Sequence, residues 1–250
     1  MRLALLSDIH ANIQGMDACL AHARMHGANQ FALLGDLVGY GADPVPVIER
    51  AQALQKAGAW LIKGNHDDLA VNPPAVARTL GDSTAAWTHA QLSPAQRRFL
   101  DELPMTHQIG AMLLVHASAC EPASWPYVYE EEAAIDCLAA AAQMPDVRHV
   151  FVGHVHHQTL FSTALDVPIE NHDLRPGTPM VLSPKKHWVA TVGSAGQPRD
   201  GSPLAMYALY DTETHVLNFQ RVKYDHLLAA DAIRQAGLPI WLAQRLEAGR

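Results

Sequence analysis

The sequence predicts an α/β protein in which two mixed β-sheets are flanked by helices, and three observations carry that reading. Short apolar runs recur as far as residue 153, separated by stretches with helical spacing, which is the pattern of a sheet fed by crossover helices. Beyond about residue 158 the helical spacing thins out. Strand-like runs then follow one another with Gly and Pro between them, which suggests a second, partly antiparallel sheet packed on the first. Apolar residues make up 49 % and charged residues 17 % of 250 residues, a globular composition with enough apolar material for one domain spanning 1–250.

Taken in order, strands are expected near 2 to 7, 31 to 35, 59 to 63, 111 to 116 and 149 to 153. Between the first two, Asn12 stands at a plausible N-cap, Ile13, Met16, Cys19, Leu20 and Ala23 share one face, and Gly27 is a natural stop. A second helix should run from Pro44 to Lys56 and close at Gly58. The stretch 73 to 104 opens on Pro73-Pro74 and carries helical patches at Thr84 to Gln91 and Pro94 to Leu103, a helical excursion. Late strand-like runs cover Met180 to Ser183, Val189 to Val192, Leu204 to Tyr210 and His215 to Val222, and about 225 to 250 returns to helix. No internal repeat or low-complexity tract is present.

A net charge of −7 argues against a continuous basic surface for long nucleic acid, since such binding draws its affinity from Lys and Arg neutralising phosphates. Cys19, Cys120 and Cys137 are odd in number and form no Cys-x-x-Cys pair, so neither a disulfide framework nor a thiolate zinc site is indicated. The opening apolar run, Leu3 to Leu6, is too short for a signal peptide or a membrane span. A cytoplasmic location is expected and no membrane partner. Fifteen histidines are many for this length, and His is the commonest side-chain metal ligand near neutral pH.

Five apolar runs end in the same way. Leu3–Leu6 leads into Ser7-Asp8-Ile9-His10, Phe31–Leu34 into Gly35-Asp36, and Trp60–Lys63 into Gly64-Asn65-His66-Asp67. Met112–Val115 leads into His116, and Val150–Val152 into Gly153-His154-Val155-His156. Ligands of open α/β sheets bind at the carboxyl ends of strands, so five such ends would converge on one crevice. Asp8 and His10, like His154 and His156, are two residues apart and would point the same way in an extended chain. Gly35, Gly64 and Gly153 would let the backbone turn and approach a cluster closely. Carboxylates, an amide and imidazoles suit Mn, Fe, Ni, Co or Zn better than Ca.

In these residues the chain resembles the calcineurin-like metallophosphoesterase superfamily, whose ordered motifs are Asp-x-His, Gly-Asp, Gly-Asn-His-(Asp or Glu), a lone His and Gly-His-x-His. The resemblance covers roughly residues 1 to 225. It includes Gly193 to Gly201, which looks like the late loop of the small bacterial and archaeal phosphodiesterase branch. It implies an αββα sandwich and two divalent metal ions, with manganese among the metals to consider. Asp8, His10 and His156 would hold one ion, Asn65, His116 and His154 the other, and Asp36 would bridge. His66 would sit outside the coordination sphere as proton donor to the leaving group, with Asp67 at the family's acidic position after it.

The implied activity is hydrolysis of a phosphomonoester or phosphodiester by metal-bound hydroxide on a small substrate, nucleotide-like ones included. Arg199 is a candidate phosphate clamp, and equally a surface loop charge. His157 is the other histidine placed to line the cleft, and Tyr40 and Gly41 either contact substrate or only make a turn. The Asp-Arg-Gly of Ser/Thr protein phosphatases is absent, because the chain reads Leu37-Val38-Gly39-Tyr40-Gly41, and His10 stands where purple acid phosphatases have another residue. The alternative is a catalytically silent metal-binding scaffold or partner-binding protein of the same fold. Such proteins tend to lose ligands, and here none is missing.

Overall fold

The computed structural model of the protein describes residues 1–164 and 167–250. In chain order the first half holds β1 (Arg2–Leu6), α1 (Ile13–Met25), β2 (Gln30–Leu33), α2 (Pro44–Lys56), β3 (Trp60–Leu61), α3 (Asn65–Val71), α4 (Leu80–Gln91), α5 (Pro94–Asp101), β4 (Thr106–Ile109) and β5 (Met112–Val115). A 3-10 turn at Pro122–Ser124 precedes α6 (Glu131–Ala141), β6 (His149–Val152), β7 (Gln158–Ala164), β8 (Val167–Asn171), β9 (Met180–Val181), β10 (His187–Val192), β11 (Ala205–Asp211), β12 (Val216–Val222), α7 (His226–Gln235) and α8 (Ile240–Ala248).

The strands form two six-stranded mixed sheets, in the orders β3-β2-β1-β11-β12-β9 and β4-β5-β6-β10-β7-β8. Along β1, Leu3 and Leu5 point into the apolar layer between the sheets, where they meet Leu114, Phe151 and Trp188. Ala4 and Leu6 point the other way, into a second layer shared with Met16 and Leu20 of α1, Ile48 of α2 and Leu242 of α8. Val150 and Val152 of β6 face outward against Leu138 of α6. Burial on both faces explains why these strands are continuous apolar runs without alternation. The result is the expected αββα sandwich.

The early elements fall within a residue or two of expectation. At α1, Asn12 Oδ1 accepts from the Gly15 amide at 2.9 Å, as an N-cap should. Inside the helical excursion, Thr79 with Asp82 and Ser93 with Gln96 form capping boxes. Three expectations need correction. The late strands do not make a sheet of their own: β11 lies antiparallel to β1, while β5 and β6 belong with β10 in the other sheet. Apolar runs specify strands but not which sheet they enter. The helices α3 and α6 and the strands β4, β7 and β8 were not anticipated, because motif residues, small alanines or mixed polar sequence mask their periodicity. Nor are the Asp8/His10 and His154/His156 pairs in extended chain, as described below.

Candidate active site

The strands β1, β2 and β3 run parallel, as do β5, β6 and β10, so the carboxyl ends of both parallel sets open at one edge of the sandwich. The five motif ends meet there. Asp8, His10, Asp36, His116, His154 and His156 are all buried. Five of them adopt left-handed backbone, with φ of 52° at Asp8, 47° at His10, 51° at Asp36, 68° at His154 and 57° at His156. Non-glycine residues rarely take such values, and strained backbone concentrates at functional sites. The left-handed turns reorient the chain at each residue, which is why His154 and His156, two positions apart, enter different clusters.

One cluster holds Asp8, His10 and His156, the other Asp36, His116 and His154. In the first, the Nε2 atoms of His10 and His156 lie 3.1 Å apart, and Asp8 Oδ1 is 3.3 Å from His156 Nε2. In the second, Asn65 Oδ1 lies 3.1 Å from His116 Nε2. Asp36 Oδ2 stands between the two, 3.4 Å from His116 Nε2 and 3.6 Å from His10 Nε2. Two atoms bound to one ion at about 2.0–2.2 Å are roughly 3.0–3.5 Å apart in octahedral or tetrahedral geometry, so these spacings fit metal coordination. Asp8 Oδ1 is buried with no hydrogen-bond partner among the described residues, as a ligand atom facing an ion would be.

The imidazoles are aimed by their other nitrogens. Nδ1 of His10 donates to the Val38 carbonyl at 3.2 Å, of His116 to Leu34 at 2.7 Å, and of His156 to Gln197 at 2.6 Å. His154 reverses the pattern, since its Nε2 donates to the Trp125 carbonyl at 3.1 Å and leaves Nδ1 for the cluster. Such partners fix the tautomer and ring orientation of metal-binding histidines. Burial alone would raise the Asp8 carboxyl, but His156 and His116 beside it pull it well below the usual range. Burial works against a charged His116, yet Asp36 and Asp8 lift it to about 9. The pocket is built for positive charge.

Glycine makes the approach possible. A Cβ on Gly153 would lie 1.8 Å from Ser7 Oγ and 2.5 Å from Asp8 Oδ2, and one on Gly64 2.2 Å from the Asp36 amide nitrogen. His66 packs beside this centre, its ring 5.0 Å from that of His10 and 4.3 Å from that of Tyr40. Its backbone N–H donates to Asp36 Oδ1 at 2.8 Å. His66 Nδ1 is buried and has no hydrogen-bond partner among the described residues. Burial lowers the His66 pKa, while Asp36 acts in the opposite sense.

Asp67 turns away from His66. Its carboxylate accepts from the Gly64 and Val38 amides at 2.9 and 3.2 Å, tying the loop after β2 to the start of α3, and burial and then Asp36 raise its pKa to about 7. Arg199 reaches the site edge, with its guanidinium 5.8 Å from the Tyr40 ring centroid. His157 donates back to the Val155 carbonyl at 2.9 Å and packs edge-on against Tyr129, at the rim. Tyr40 has φ 61°, so it makes the turn and also wedges between His10, His66 and Arg199. Sequence reasoning did not find the Trp125, Leu34, Val38 and Gln197 carbonyls, because any residue supplies one. Cys19 and Cys137 are buried thiols, and Cys120 is partly buried. Among the described residues no helix is long and apolar enough to cross a membrane.

Residues 1–215 match the model of the calcineurin-like phosphoesterase superfamily domain. A metallophosphoesterase from Sphaerobacter thermophilus is 30 % identical, with a TM-score of 0.85 over 100 % of this chain and 99 % of that one. An uncharacterized protein of Methanocaldococcus jannaschii is 29 % identical over 99 % of this chain and 98 % of its own. A hypothetical protein from Pyrococcus horikoshii shares the fold at 21 % identity, with a TM-score of 0.74 over 100 % and 98 % of the two chains. The chain belongs to the calcineurin-like phosphoesterase superfamily.

Proposed function

We propose that the protein is a dinuclear metal-dependent hydrolase of phosphomonoesters or phosphodiesters with small substrates. The observation that carries this reading is Asp36 Oδ2, within 3.6 Å of His10 Nε2 in one His/Asp cluster and 3.4 Å of His116 Nε2 in the other. Asp8, His10 and His156 would hold one ion, Asn65, His116 and His154 the second, and Asp36 both. The donors are carboxylate, amide and imidazole without thiolate, which favours a borderline transition metal such as manganese, iron, nickel, cobalt or zinc. Two ions, when bound, supply polarisation of the phosphoryl oxygens and activation of the attacking water.

The chain's own groups do the rest. Backbone carbonyls hold four imidazoles in the tautomer that presents a lone pair inward. His66 delivers a proton from its imidazole to the departing oxygen, and its pKa, lowered by burial, rises when an anionic phosphoryl group binds beside it. Asp67 positions His66 by bracing the two backbone segments around it. Arg199 meets negative charge on the substrate at the Tyr40 side. A reducing, cytoplasmic setting suits three free cysteines.

The test is turnover of bis(p-nitrophenyl) phosphate and p-nitrophenyl phosphate by metal-stripped protein with added Mn, Ni, Co, Zn or Mg, beside Asp36→Asn. Metal-dependent turnover that the substitution abolishes is expected, and the better substrate identifies the ester class. A fully metal-loaded protein inert toward both esters would favour the scaffold reading.

A further inference from the structure

Three aromatic residues on the segment between β5 and α6 each lie against a histidine of the site or its rim. Trp125 meets His116 edge-on with ring centroids 5.8 Å apart, Tyr127 stacks on His154 at 4.1 Å with 14° between the planes, and Tyr129 packs on His157 at 5.2 Å. The segment is tied down on both sides. The Trp125 carbonyl accepts from His154 Nε2 at 3.1 Å, and Val128, between the two tyrosines, is buried in the outer apolar layer with Leu138 and Val150.

Tyr127 and Tyr129 are nonetheless 59 % and 47 % exposed. With Glu130, Glu132, Ala133 and Asp136 they line a groove of about 400 Å³, within the size range of small-molecule sites. Core packing does not account for two open aromatic rings here, one of them flat on a histidine of the Asp36/His116/His154 cluster. Because the Tyr127 ring is nearly parallel to that imidazole, a further planar ring can extend the stack. Nucleobases stack on such rings whatever their sequence identity, since each presents a π-face. The carboxylates of the groove accept from amino and hydroxyl groups and repel anions, so a flat, uncharged, donor-rich group suits it.

We propose that Tyr127, with Tyr129 beside it, is a stacking platform for the base of a nucleotide whose phosphate sits at the Asp36 centre, so that the preferred esters are nucleotides. This deepens the phosphoesterase reading and rests on it. Specificity for the organic part of the substrate then lies in the segment between β5 and α6.

The test needs no turnover. The probes are the phosphonate analogues of adenosine monophosphate and of ribose phosphate, in which a methylene group replaces the ester oxygen. Their binding to the metal-loaded protein is measured by calorimetry for wild type, Tyr127→Leu and Tyr127→Phe. The base should tighten wild-type binding about tenfold, as one stacked base can, the advantage should fall below about twofold in Tyr127→Leu, and Tyr127→Phe should keep it. Equal affinity for the two probes, an advantage that survives Tyr127→Leu, or a loss in Tyr127→Leu that falls equally on both probes, as mere propping of His154 would give, would overturn the platform. So would a choline phosphonate that binds as tightly as the adenosine one, since the rings would then hold a cation. If the base advantage depends on Tyr127 but no phosphate ester is turned over, the platform stands and the hydrolase reading falls.

Discussion

The Nε2 atoms of His10 and His156 face each other at 3.1 Å across 146 residues of sequence, while the Nδ1 atom of each is taken by a backbone carbonyl. Two lone pairs held at that distance repel each other unless a cation lies between them. Metal binding should therefore stabilise the fold, because an ion that binds only the folded chain adds about 2.7 kcal/mol at a hundred times its Kd. For a chain of this size that is a rise in Tm of roughly 5 to 10 °C. Differential scanning calorimetry of stripped protein with and without manganese checks it, and His156→Ala should erase most of the rise.

His66 is assigned to proton delivery, so the cost of removing it depends on the leaving group. His66→Ala should lower kcat about 10²- to 10⁴-fold on an alkyl phosphate ester. The loss on p-nitrophenyl esters should be much smaller, since that departing oxygen needs little help from an acid. Steady-state kinetics on both esters decide, and equal losses would make His66 a binding group instead.

Asp67 spends its carboxylate on the Gly64 and Val38 amides. Asp67→Asn places an amide NH2 against one of those donors and should destabilise the fold by about 1–3 kcal/mol. A bracing role predicts that chemical denaturation registers this loss together with a modest fall in kcat. A large fall in kcat at unchanged stability would point to direct proton transfer.

Away from the site, His149 is 2 % exposed at the start of β6. Burial, reinforced by His215, His187 and Arg148, pushes its pKa down to about 4 from 6.5. Its folded form binds a proton less readily than the unfolded form, so the stability it contributes is intact above pH 6.5. That contribution declines as the pH falls through the window and is gone by about pH 4. The shift is worth at most roughly 3 kcal/mol. Urea unfolding at pH 7 and 4.5 should show a smaller acid loss for His149→Gln than for wild type.

Much of this site was legible in the sequence for a local reason. Asp8, Asp36, Asn65, His116 and His154 each follow a parallel strand, and strand ends in one direction must meet at one edge. Runs such as Leu3–Leu6 were legible as strands of a sheet fed by helices, while the αββα sandwich was what the family resemblance implied. The sheet that each strand joins was not legible, since the pairing of β1 with β11 joins residues 2 to 5 with 208 to 211, far beyond any sequence window. The left-handed turns at Asp8 and His156 were equally hidden, because nothing in side-chain type demands them. Tyr127 could not have been read as part of the site, since only the fold stacks it on His154.

The most direct measurement is a manganese titration of metal-stripped protein in which bound metal and turnover of bis(p-nitrophenyl) phosphate are read from the same samples, beside Asp36→Asn. Binding should saturate at about two ions per chain, with turnover rising as the second site fills, and Asp36→Asn should hold fewer ions and stay inactive. Full turnover in metal-free protein, or saturation at two ions without turnover of this or any other phosphate ester offered, would contradict a dinuclear phosphoesterase.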